Sequence, residues 1–476
     1  MVSAIRTVLA VLIAGGCAGS VQAPPPPGPS TAVAIPRADA PASGRPIDRA
    51  LALATFDSAW GRIAHTHYDT TFRGVDWEGV GAELRPRAAG AVTHEALRAV
   101  LSEMVGRLGE SHYSVIPGEM AGSVSSGERR EGSGGGDLGI QLRVADGEVV
   151  VARMDPGGPG AAAGIRLGWV VDSIDGRPLS DEIDRLSELE GTPAHRLAHT
   201  QFLWSVTAAL EGSPGSTVRI TARGGEGQAQ TLELTRRTRP GQRVDFGNLP
   251  TLVADLDYTL IPAGERCVGV IRFNVWMTPI AGPFDQAVDA MRGCEGVVID
   301  LRGNPGGVAG MVMGIAGHFM KERTPLGVLK TRTGELRLVA NPRTVNTAGQ
   351  VVEPYDGPVA LLIDPLTVST SEIFAAGLQS AGRARVFGQT SAGQALPAMA
   401  VRLPNGDVLM HVVADLTAPD GRRVEGQGVV PDVMVPLTRA DLLAGRDAVL
   451  EAAVNWILTP SSGAGAPERT QHEESP

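Results

Sequence analysis

Apolar residues recur at intervals of three and four along residues 48–69 and again along residues 93–110. This spacing gathers the apolar side chains on one face of an α-helix. Thr93 stands directly before the second segment, where its hydroxyl can cap the first helical turn. We therefore predict a helical N-terminal segment over residues 46–125, which leads into a glycine-rich stretch.

A different pattern follows over residues 126–240. Short runs of β-branched and other apolar residues alternate with glycine, proline and aspartate, as is typical of strands joined by turns. Residues 181–211 interrupt this pattern with a longer segment, which we expect to form a lid or a docking surface. The predicted strands lie within residues 138–144, 148–154, 168–176, 216–224 and 231–237.

Residues 241–459 alternate apolar runs of strand length with amphipathic segments of helical period. Residues 266–273 and 296–303 have the composition of strands that are buried in a sheet. This alternation predicts an α/β sheet domain, in which side chains at the strand ends are well placed for catalysis. The whole chain is therefore predicted to be an α/β protein of several domains.

Residues 1–23 predict an export signal rather than a membrane span, because the apolar run over residues 8–14 is too short to cross a bilayer. Small residues lead into Cys17, as in bacterial lipoprotein signals, so we expect a lipid anchor there and a location in the periplasm or cell envelope. Simple secretion after cleavage at Ala23 is the alternative. Residues 24–45 and 460–476 have no apolar period and predict a disordered linker and tail.

The formal net charge of −10 argues against a nucleic-acid partner. Beyond the signal, Cys267 and Cys294 could pair in an oxidising compartment. We favour the interpretation that both are small unpaired residues buried beside strands. Two histidine pairs lack a nearby third ligand, so we predict no metal site. These pairs are His65 with His67 and His195 with His199.

A glycine-rich loop follows the predicted strand that ends at Asp300. Gly303, Gly306 and Gly307 allow a positive φ or a close approach of the backbone. Free amides in this loop could hold an oxyanion. The alternative is a tight turn that needs glycine only for steric reasons. A phosphate-binding loop is excluded, because its lysine and hydroxyl residue are missing.

Ser369 precedes an amphipathic helical pattern over residues 371–382, and Glu372 lies in its first turn. A serine at the N-cap with a glutamate three positions later is typical of a capping box. A hydroxyl at this position also lies beside free amides and the positive end of the helix dipole, which favour a developing anion. A helix cap and an activated nucleophile are therefore compatible interpretations.

Several motifs of the chain occur in the order found in one peptidase family. They are a helical segment with GVDWEGV, the β module, VVIDLRGNPGG, the segment from VSTSEIF to TSAGQ, and VEGQGVVPDV. With this order the chain resembles the C-terminal processing (tail-specific) serine peptidases. The resemblance implies a core like that of ClpP and crotonase, with Ser369 as nucleophile. It also implies oxyanion donors at the Thr370 amide and in the Gly306–Gly307 turn.

The β module resembles a PDZ domain through the segment DPGGPGAAAGIRLGWVVDSIDGRPL. PDZ domains add the C-terminal residues of a ligand to a sheet edge and bind its carboxylate with backbone amides. The resemblance implies that Leu138, Gly139 and Ile140 surround this carboxylate. The length of residues 181–211 departs from the pattern and leaves the shape of the peptide groove open.

Many members of this family use a lysine 25 positions after the nucleophile as general base, but Gln394 stands there in this chain. Its only lysines lie upstream of the nucleophile in unrelated segments. A branch that resembles the tricorn protease core uses a histidine and a glutamate instead, and His112 and Glu425 occupy the matching positions. We expect His112 to accept the Ser369 proton, with Glu425 orienting the imidazole directly or through an intervening group.

These features predict an exported serine endopeptidase that cleaves peptides or proteins through an acyl-enzyme on Ser369, without a cofactor. We expect substrates to be presented by their C-termini, and the enzyme to reach the membrane through its lipid anchor. One alternative is a peptide-binding scaffold that has lost cleavage, which the substitution of lysine by Gln394 would suit. The other is an ester hydrolase, in which a PDZ-like module would have no role.

Overall fold

The computed structural model of this chain describes residues 44–119, 135–225 and 227–459. The predicted export signal with Cys17, nearly all of the predicted linker and the predicted tail lie outside these residues. The predicted α/β class is confirmed, because helices and several sheets make up the described chain. None of the helices in these ranges has both the length and the apolarity needed to cross a bilayer.

Three helices form the N-terminal part, and the apolar spacing predicted the first and the third of them. Thr93 caps the third helix, because its hydroxyl accepts a hydrogen bond from the Ala96 amide at 3.2 Å. Phe56, Leu84 and Leu101 are buried between the helices, and each such side chain stabilises the fold by about 1.5–3 kcal/mol. The elements are α1 (Arg49–Thr66), a 3-10 turn (Phe72–Gly74), α2 (Trp77–Ala89), α3 (His94–Gly106) and β1 (Ser114–Ile116).

A β-rich module follows, and each of its five predicted runs contains a strand. The elements are β2 (Gly136–Asp137), β3 (Ile140–Ala145), β4 (Glu148–Met154), α4 (Pro159–Ala162), β5 (Val170–Ile174), β6 (Arg177–Pro178), α5 (Ser180–Glu188), α6 (Pro193–Leu210), β7 (Thr217–Arg223), β8 (Ala229–Thr235) and β9 (Arg237–Thr238). The main sheet has the order β3-β4-β5-β7-β8. Helix α6 packs against β3, whose outer edge has no neighbouring strand among the described residues.

The C-terminal part is built on a central six-stranded sheet with helices on both faces. Its strands are β10 (Gln242–Val244), β11 (Leu252–Ala254), β12 (Leu256–Ala263), β13 (Arg266–Phe273), β14 (Gly296–Asp300), β15 (Thr324–Thr331), β16 (Glu335–Ala340), β17 (Val359–Ile363), β18 (Arg385–Gly388), β19 (Ala398–Arg402), β20 (Val408–Val412), β21 (Ala414–Thr417) and β22 (Val433–Met434). Its helices are α7 (Ala281–Ala290), α8 (Met311–Gly317), α9 (Thr370–Ser380), α10 (Arg439–Leu443) and α11 (Ala448–Leu458).

The central sheet has the order β12-β13-β14-β17-β18-β22 and is parallel except for the pair β12 and β13. Alternate residues of one strand point to opposite faces. Thus Val297 and Ile299 of β14 pack with α7, α8 and α9, whereas Val298 packs with α11. Burial on both faces explains why the sequence of this strand is apolar throughout.

Two neighbouring parallel strands lead into the loops of the candidate site. β14 ends at Asp300 and β17 ends at Ile363, so their loops leave the sheet at the same edge. The Val368 amide donates a hydrogen bond to the Asn304 carbonyl at 3.1 Å and joins the two loops. The glycine loop therefore lies beside the segment that precedes Ser369.

The N-terminal part is also tied to the C-terminal part by strand pairing. β1 pairs antiparallel with β20, where Ser114 lies opposite Met410. Leu409 of β20 packs into the core between the helices α1 to α3. His112 therefore belongs to a loop that enters a strand fixed to the C-terminal part.

The interpretation of Cys267 and Cys294 as unpaired residues is wrong. They form a disulfide with their Cα atoms 4.6 Å apart. Cys267 lies in β13 and Cys294 precedes β14, and the parallel register sets Val268 opposite Gly296. This register, which the sequence alone does not reveal, brings the two cysteines together.

Candidate active site

Ser369 occupies the N-cap of α9, as predicted, with a φ of 57° that serine rarely adopts. Two acceptors hold its amide. They are the Gln394 carbonyl oxygen at 2.9 Å and the Glu372 Oε2 atom at 3.0 Å. The residue therefore lies at the positive end of the α9 dipole in a restrained backbone conformation.

Glu372 is fully buried and accepts four hydrogen bonds. Besides the Ser369 amide, the Ser391 hydroxyl donates to it at 2.6 Å, and the amides of Gly393 and Gln394 donate at 2.7 Å and 2.9 Å. Burial raises the pKa of Glu372 to about 7, although these hydrogen bonds oppose the shift. The carboxyl group thus ties the candidate nucleophile to the loop after β18.

The glycine loop lies against the candidate nucleophile. A Cβ atom on Gly306 would lie 2.7 Å from the Ser369 Cβ and 2.8 Å from the Thr370 nitrogen, so this position requires glycine. The Gly306 amide donates to Asn304 Oδ1 at 3.0 Å. Within the described chain, the amides of Gly307 and Thr370 donate no hydrogen bond. These two of the three predicted oxyanion donors are thus available to a ligand oxygen.

His112 lies in a loop that Glu425 holds. Glu425 Oε1 accepts from the Ser111 amide at 3.1 Å, and its Oε2 accepts from the Ser111 hydroxyl at 3.0 Å. The same hydroxyl oxygen lies 2.8 Å from His112 Nδ1. The intervening group left open by the sequence is therefore Ser111, which sequence reasoning did not identify although it directly precedes the histidine.

This geometry sets the tautomer of the imidazole. The Ser111 hydroxyl has a single proton, which it donates to Glu425, so it accepts a hydrogen bond from the His112 Nδ1–H group. Nε2 then carries the lone pair that a general base needs. Burial lowers the pKa of His112 to about 4 and raises the pKa of Glu425. The imidazole is consequently neutral at neutral pH.

A single peptide group joins the two sides of the site. The Gln394 carbonyl of this group accepts a hydrogen bond from the Ser369 amide. The Ala395 N–H of the same group donates a hydrogen bond to Glu425 Oε2 at 2.9 Å. Ser111 continues the connection from this carboxylate to the imidazole. These bonds connect the backbone of Ser369 to Glu425 and, through Ser111, to His112, whereas among the described residues no hydrogen bond joins the Ser369 hydroxyl to the imidazole.

Gln394, which stands where the resemblance implies a lysine in many peptidases, lies beside these bonds. Its side chain is buried at 3% exposure, and its Nε2 atom has no hydrogen-bond partner in the described chain. A buried N–H group without an acceptor is unfavourable. The Gln394 side-chain amide is thus a buried donor that the described residues leave unpaired.

The residues predicted to bind a carboxylate lie at the start of β3. Gly139 has a φ of 67°, and the carbonyls of Leu138 and Gly139 accept hydrogen bonds from the amides of Gly160 and Asp155 at 3.0 Å and 2.7 Å. Ile140 is the first residue of β3. The turn is therefore held through its carbonyl groups, next to the sheet edge that has no neighbouring strand among the described residues.

The β module contacts both sides of the site. Arg143 of β3 donates to Asp364 Oδ2 at 2.6 Å, and Thr200 of α6 donates to the Pro365 carbonyl at 3.3 Å, just ahead of Ser369. Arg196 of α6 donates to the carbonyl of the residue after Glu425 at 3.4 Å. A shift of α6 would therefore be felt by the nucleophile loop and by the Glu425 loop.

The remaining histidines are not gathered into a metal site. Across residues 44–119, 135–225 and 227–459, no group of three or more His, Cys, Asp or Glu side chains could hold a metal ion. His65 is exposed, whereas His67 is buried and bonded to Glu110 at 2.9 Å. The rings of His195 and His199 are 5.7 Å apart.

Comparison with known proteins shows two matches to protein families. Residues 267–435 match peptidase family S41. Residues 53–106 match the tricorn protease C1 domain. The first match contains the glycine loop, Ser369 and Glu425, and the second ends shortly before His112.

The chain is also similar to named peptidases over most of its length. It is 26% identical over 400 residues to the chloroplastic C-terminal processing peptidase of Tetradesmus obliquus, covering 80% of this chain and 76% of that protein. It is 26% identical over 400 residues to the carboxyl-terminal-processing protease of Picosynechococcus sp., covering 82% and 86%. The solved photosystem II D1 C-terminal processing protease has the same fold, with a TM-score of 0.54, 21% identity, and coverage of 86% of this chain and 98% of that one.

Proposed function

Because this chain is a serine peptidase of family S41, we propose that it is a C-terminal processing endopeptidase of the cell envelope with Ser369 as nucleophile. The observation that carries the proposal is the peptide group between Gln394 and Ala395. Its carbonyl holds the Ser369 amide and its N–H holds Glu425. The nucleophile and the group that orients the base therefore share one rigid support.

In the proposed reaction, His112 Nε2 accepts the Ser369 hydroxyl proton while the oxygen attacks the substrate carbonyl. The amides of Gly307 and Thr370 stabilise the resulting oxyanion, helped by the α9 dipole. The imidazolium then donates its proton to the leaving amine as the C–N bond breaks. A water molecule, deprotonated by the same imidazole, hydrolyses the acyl-enzyme and releases the second product.

Glu425 acts on the base through Ser111 in this mechanism. The ionised carboxylate keeps the Ser111 proton turned away from the ring, so that the hydroxyl oxygen accepts the His112 Nδ1–H group. When the imidazole takes a proton, the nearby negative charge stabilises the cation. Replacing lysine by Gln394 therefore does not remove the base, because the base comes from another loop.

We propose that the β module is a PDZ domain that binds substrate C-termini. The open edge of β3 offers backbone groups to an extended peptide, and α6 packs alongside as the other wall of a groove. The turn at Leu138, Gly139 and Ile140 stands where the terminal carboxylate would bind. Its positive φ at Gly139 supports a compact amide-lined turn.

Export is supported by two independent features. Residues 1–23 have the pattern of an export signal with a lipid-anchor cysteine at Cys17. The disulfide between Cys267 and Cys294 suits an oxidising compartment, because disulfides are rare in the reducing cytosol.

A lipid anchor is tested by metabolic labelling with a fatty acid, which Cys17→Ser should abolish. Secretion of unlabelled wild-type protein would contradict it.

A fluorophosphonate probe tests the catalytic assignment. We expect the wild type to be labelled, Ser369→Ala to be unlabelled, and His112→Ala to react about 10³- to 10⁴-fold more slowly while remaining folded. An unfolded protein substrate should be cleaved by the wild type alone. Absence of labelling in the wild type would favour the scaffold, and rapid hydrolysis of small esters without peptide cleavage would favour an esterase.

A further inference from the structure

A second buried cluster joins the N-terminal helices to the histidine loop. Glu110, whose side chain is 5% exposed, accepts hydrogen bonds from His67 Nε2 at 2.9 Å and from the Tyr68 hydroxyl at 2.5 Å. His67 is completely buried and caps the C-terminal end of α1. A buried carboxylate is displaced from its donors only at a considerable free-energy cost. The backbone two residues before His112 is thus held to the end of α1.

The same carboxylate reaches the loop that carries Glu425. Arg423 Nη2 lies 3.5 Å from Glu110 Oε1 and donates to the Tyr68 hydroxyl at 3.1 Å. Asp415 binds the other side of the guanidinium at 2.9 Å. The histidine loop and the glutamate loop are therefore joined twice, once through this ion pair and once through the relay of the candidate site.

His112 is also held from its C-terminal side. The Tyr113 ring lies parallel to the His67 ring, with 6.4 Å between centroids and 7° between planes. Ser114 then enters the pairing of β1 with β20. His112 itself has a φ of 60°, which a histidine keeps only where its surroundings restrain it. The contacts on both sides supply this restraint.

We propose that His67, Tyr68, Glu110 and Arg423, here called the outer cluster, position the His112 imidazole for catalysis without touching the substrate. This inference rests on the proposed role of His112 as general base. Proton transfer requires the base within hydrogen-bond reach of the hydroxyl, and a small displacement reduces the rate steeply. Through the outer cluster, the end of α1 helps to position the proposed base.

Glu110→Gln in the full chain tests this role, with fluorophosphonate acylation followed at increasing probe concentration. We expect the maximal acylation rate to fall about 10- to 100-fold, with an unchanged probe concentration for half-maximal rate. Asp285→Asn is the matched control, since Asp285 accepts from buried His318 at 2.8 Å and from Arg343 at 2.5 Å away from the site. It should lower the melting temperature similarly and leave acylation within about twofold of wild type.

A double variant separates positioning from general destabilisation. In the His112→Ala background, Glu110→Gln should cause no further loss of the residual acylation rate, because both changes act through one group. The same loss in both backgrounds, or a Glu110→Gln rate equal to that of Asp285→Asn, would overturn the inference. Wild-type acylation by His112→Ala would overturn the proposed base as well, whereas an active Glu110→Gln beside an inactive His112→Ala overturns the outer cluster alone.

Tyr68→Phe provides a milder variant if Glu110→Gln does not fold. It removes only the hydroxyl that bridges Glu110 and Arg423, and we expect acylation to fall about two- to tenfold. Tyr355→Phe is its control, because the buried Tyr355 hydroxyl donates to the Cys294 carbonyl at 3.1 Å in another region. Equal rates for the two variants would contradict a positioning role for Tyr68.

Discussion

Two buried glutamates serve the two sides of this site, and their partners lie at very different distances along the chain. Glu372 binds Ser369, three positions before it, and three groups in the next loop. Glu425 binds Ser111, which is 314 positions away. The side of the proposed nucleophile is therefore organised by neighbouring segments, whereas the side of the proposed base depends on contact between distant parts of the fold. Disturbing each glutamate should accordingly have a different effect.

The largest effect is expected from Glu425→Gln. Both carboxylate oxygens of Glu425 accept hydrogen bonds, so a side-chain amide nitrogen in place of either oxygen would face an N–H or O–H donor. The Ser111 hydroxyl would then rotate, and the His112 tautomer would change. We expect acylation by a fluorophosphonate to fall by about 10³- to 10⁴-fold. Glu83→Gln, on an exposed carboxylate, is the control and should be near wild type. A loss below tenfold would mean that the base does not need Glu425.

Glu372→Gln should mainly reduce stability. Both carboxylate oxygens accept from donors, so the amide nitrogen would leave at least one buried N–H or O–H unsatisfied, at about 1–3 kcal/mol each. We expect denaturant unfolding to show this loss, with acylation by the folded fraction changed less than in Glu425→Gln. A larger loss of acylation in Glu372→Gln than in Glu425→Gln would contradict the different roles of the two glutamates.

The same variant has a pH signature. The pKa of Glu372 is raised from 4.5 to about 7 in the folded protein, chiefly by burial. Its contribution to stability is therefore fully present below pH 4.5 and is lost as the pH rises through about 7, a change of about 3 kcal/mol. The unfolding free energy of the wild type should fall from pH 5 to pH 8, and Glu372→Gln should lack this part of the slope. Parallel slopes for the two proteins would contradict the shift.

Gly306→Ala tests the nucleophile side through steric contact. An alanine Cβ would lie 2.7 Å from the Ser369 Cβ, at a φ of +91° that alanine disfavours. We expect a loss of roughly 1–3 kcal/mol of stability and slower acylation. Gly314→Ala, in α8 with no atom within 4 Å of the new Cβ, should be neutral or stabilising by up to about 1 kcal/mol. Equal behaviour of the two variants would show that the glycine loop tolerates a side chain.

The smallest effect concerns the pH dependence of acylation. Burial lowers the pKa of His112 to about 4, so the imidazole stays neutral and active at pH 5.5. We expect rates at pH 5.5 and 7.5 to agree within about twofold, whereas a histidine with a pKa of 6.5 would lose about tenfold. Glu372→Gln is the control, because a step near pH 7 that disappears in this variant belongs to Glu372. A change in rate near pH 6.5 in both proteins would contradict the lowered pKa of His112.

The same contrast explains what the sequence could predict. The N-cap at Ser369 and the bond from Glu372 follow from a three-residue spacing, and the apolar runs of β13, β14 and β17 follow from burial on both faces. The Gly306 contact with Ser369 was expected in kind, because glycines allow close approach. These features depend on local geometry, which a sequence displays directly.

The base side could be assigned only through family resemblance. β1 is three residues long, so no alternating pattern announces its pairing with β20. Ser111 is one hydroxyl among many until the fold brings it to Glu425. The pairing of Cys267 with Cys294 is hidden in the sequence for the same reason, because it depends on the register of β13 and β14. Contacts between distant segments need tertiary information that periodicity does not carry.

The pairing of β1 with β20 also affects the stage of synthesis at which the proposed activity can appear. His112 is made early, but Glu425, which holds the preceding Ser111, is made more than 300 positions later, and β20, which pairs with β1, is nearly as late. A nascent chain that ends before these positions therefore lacks the contacts that hold the His112 loop in the folded protein. Under the proposed mechanism, proteolysis begins only after residues 408–425 have been made and have packed against the segment around His112.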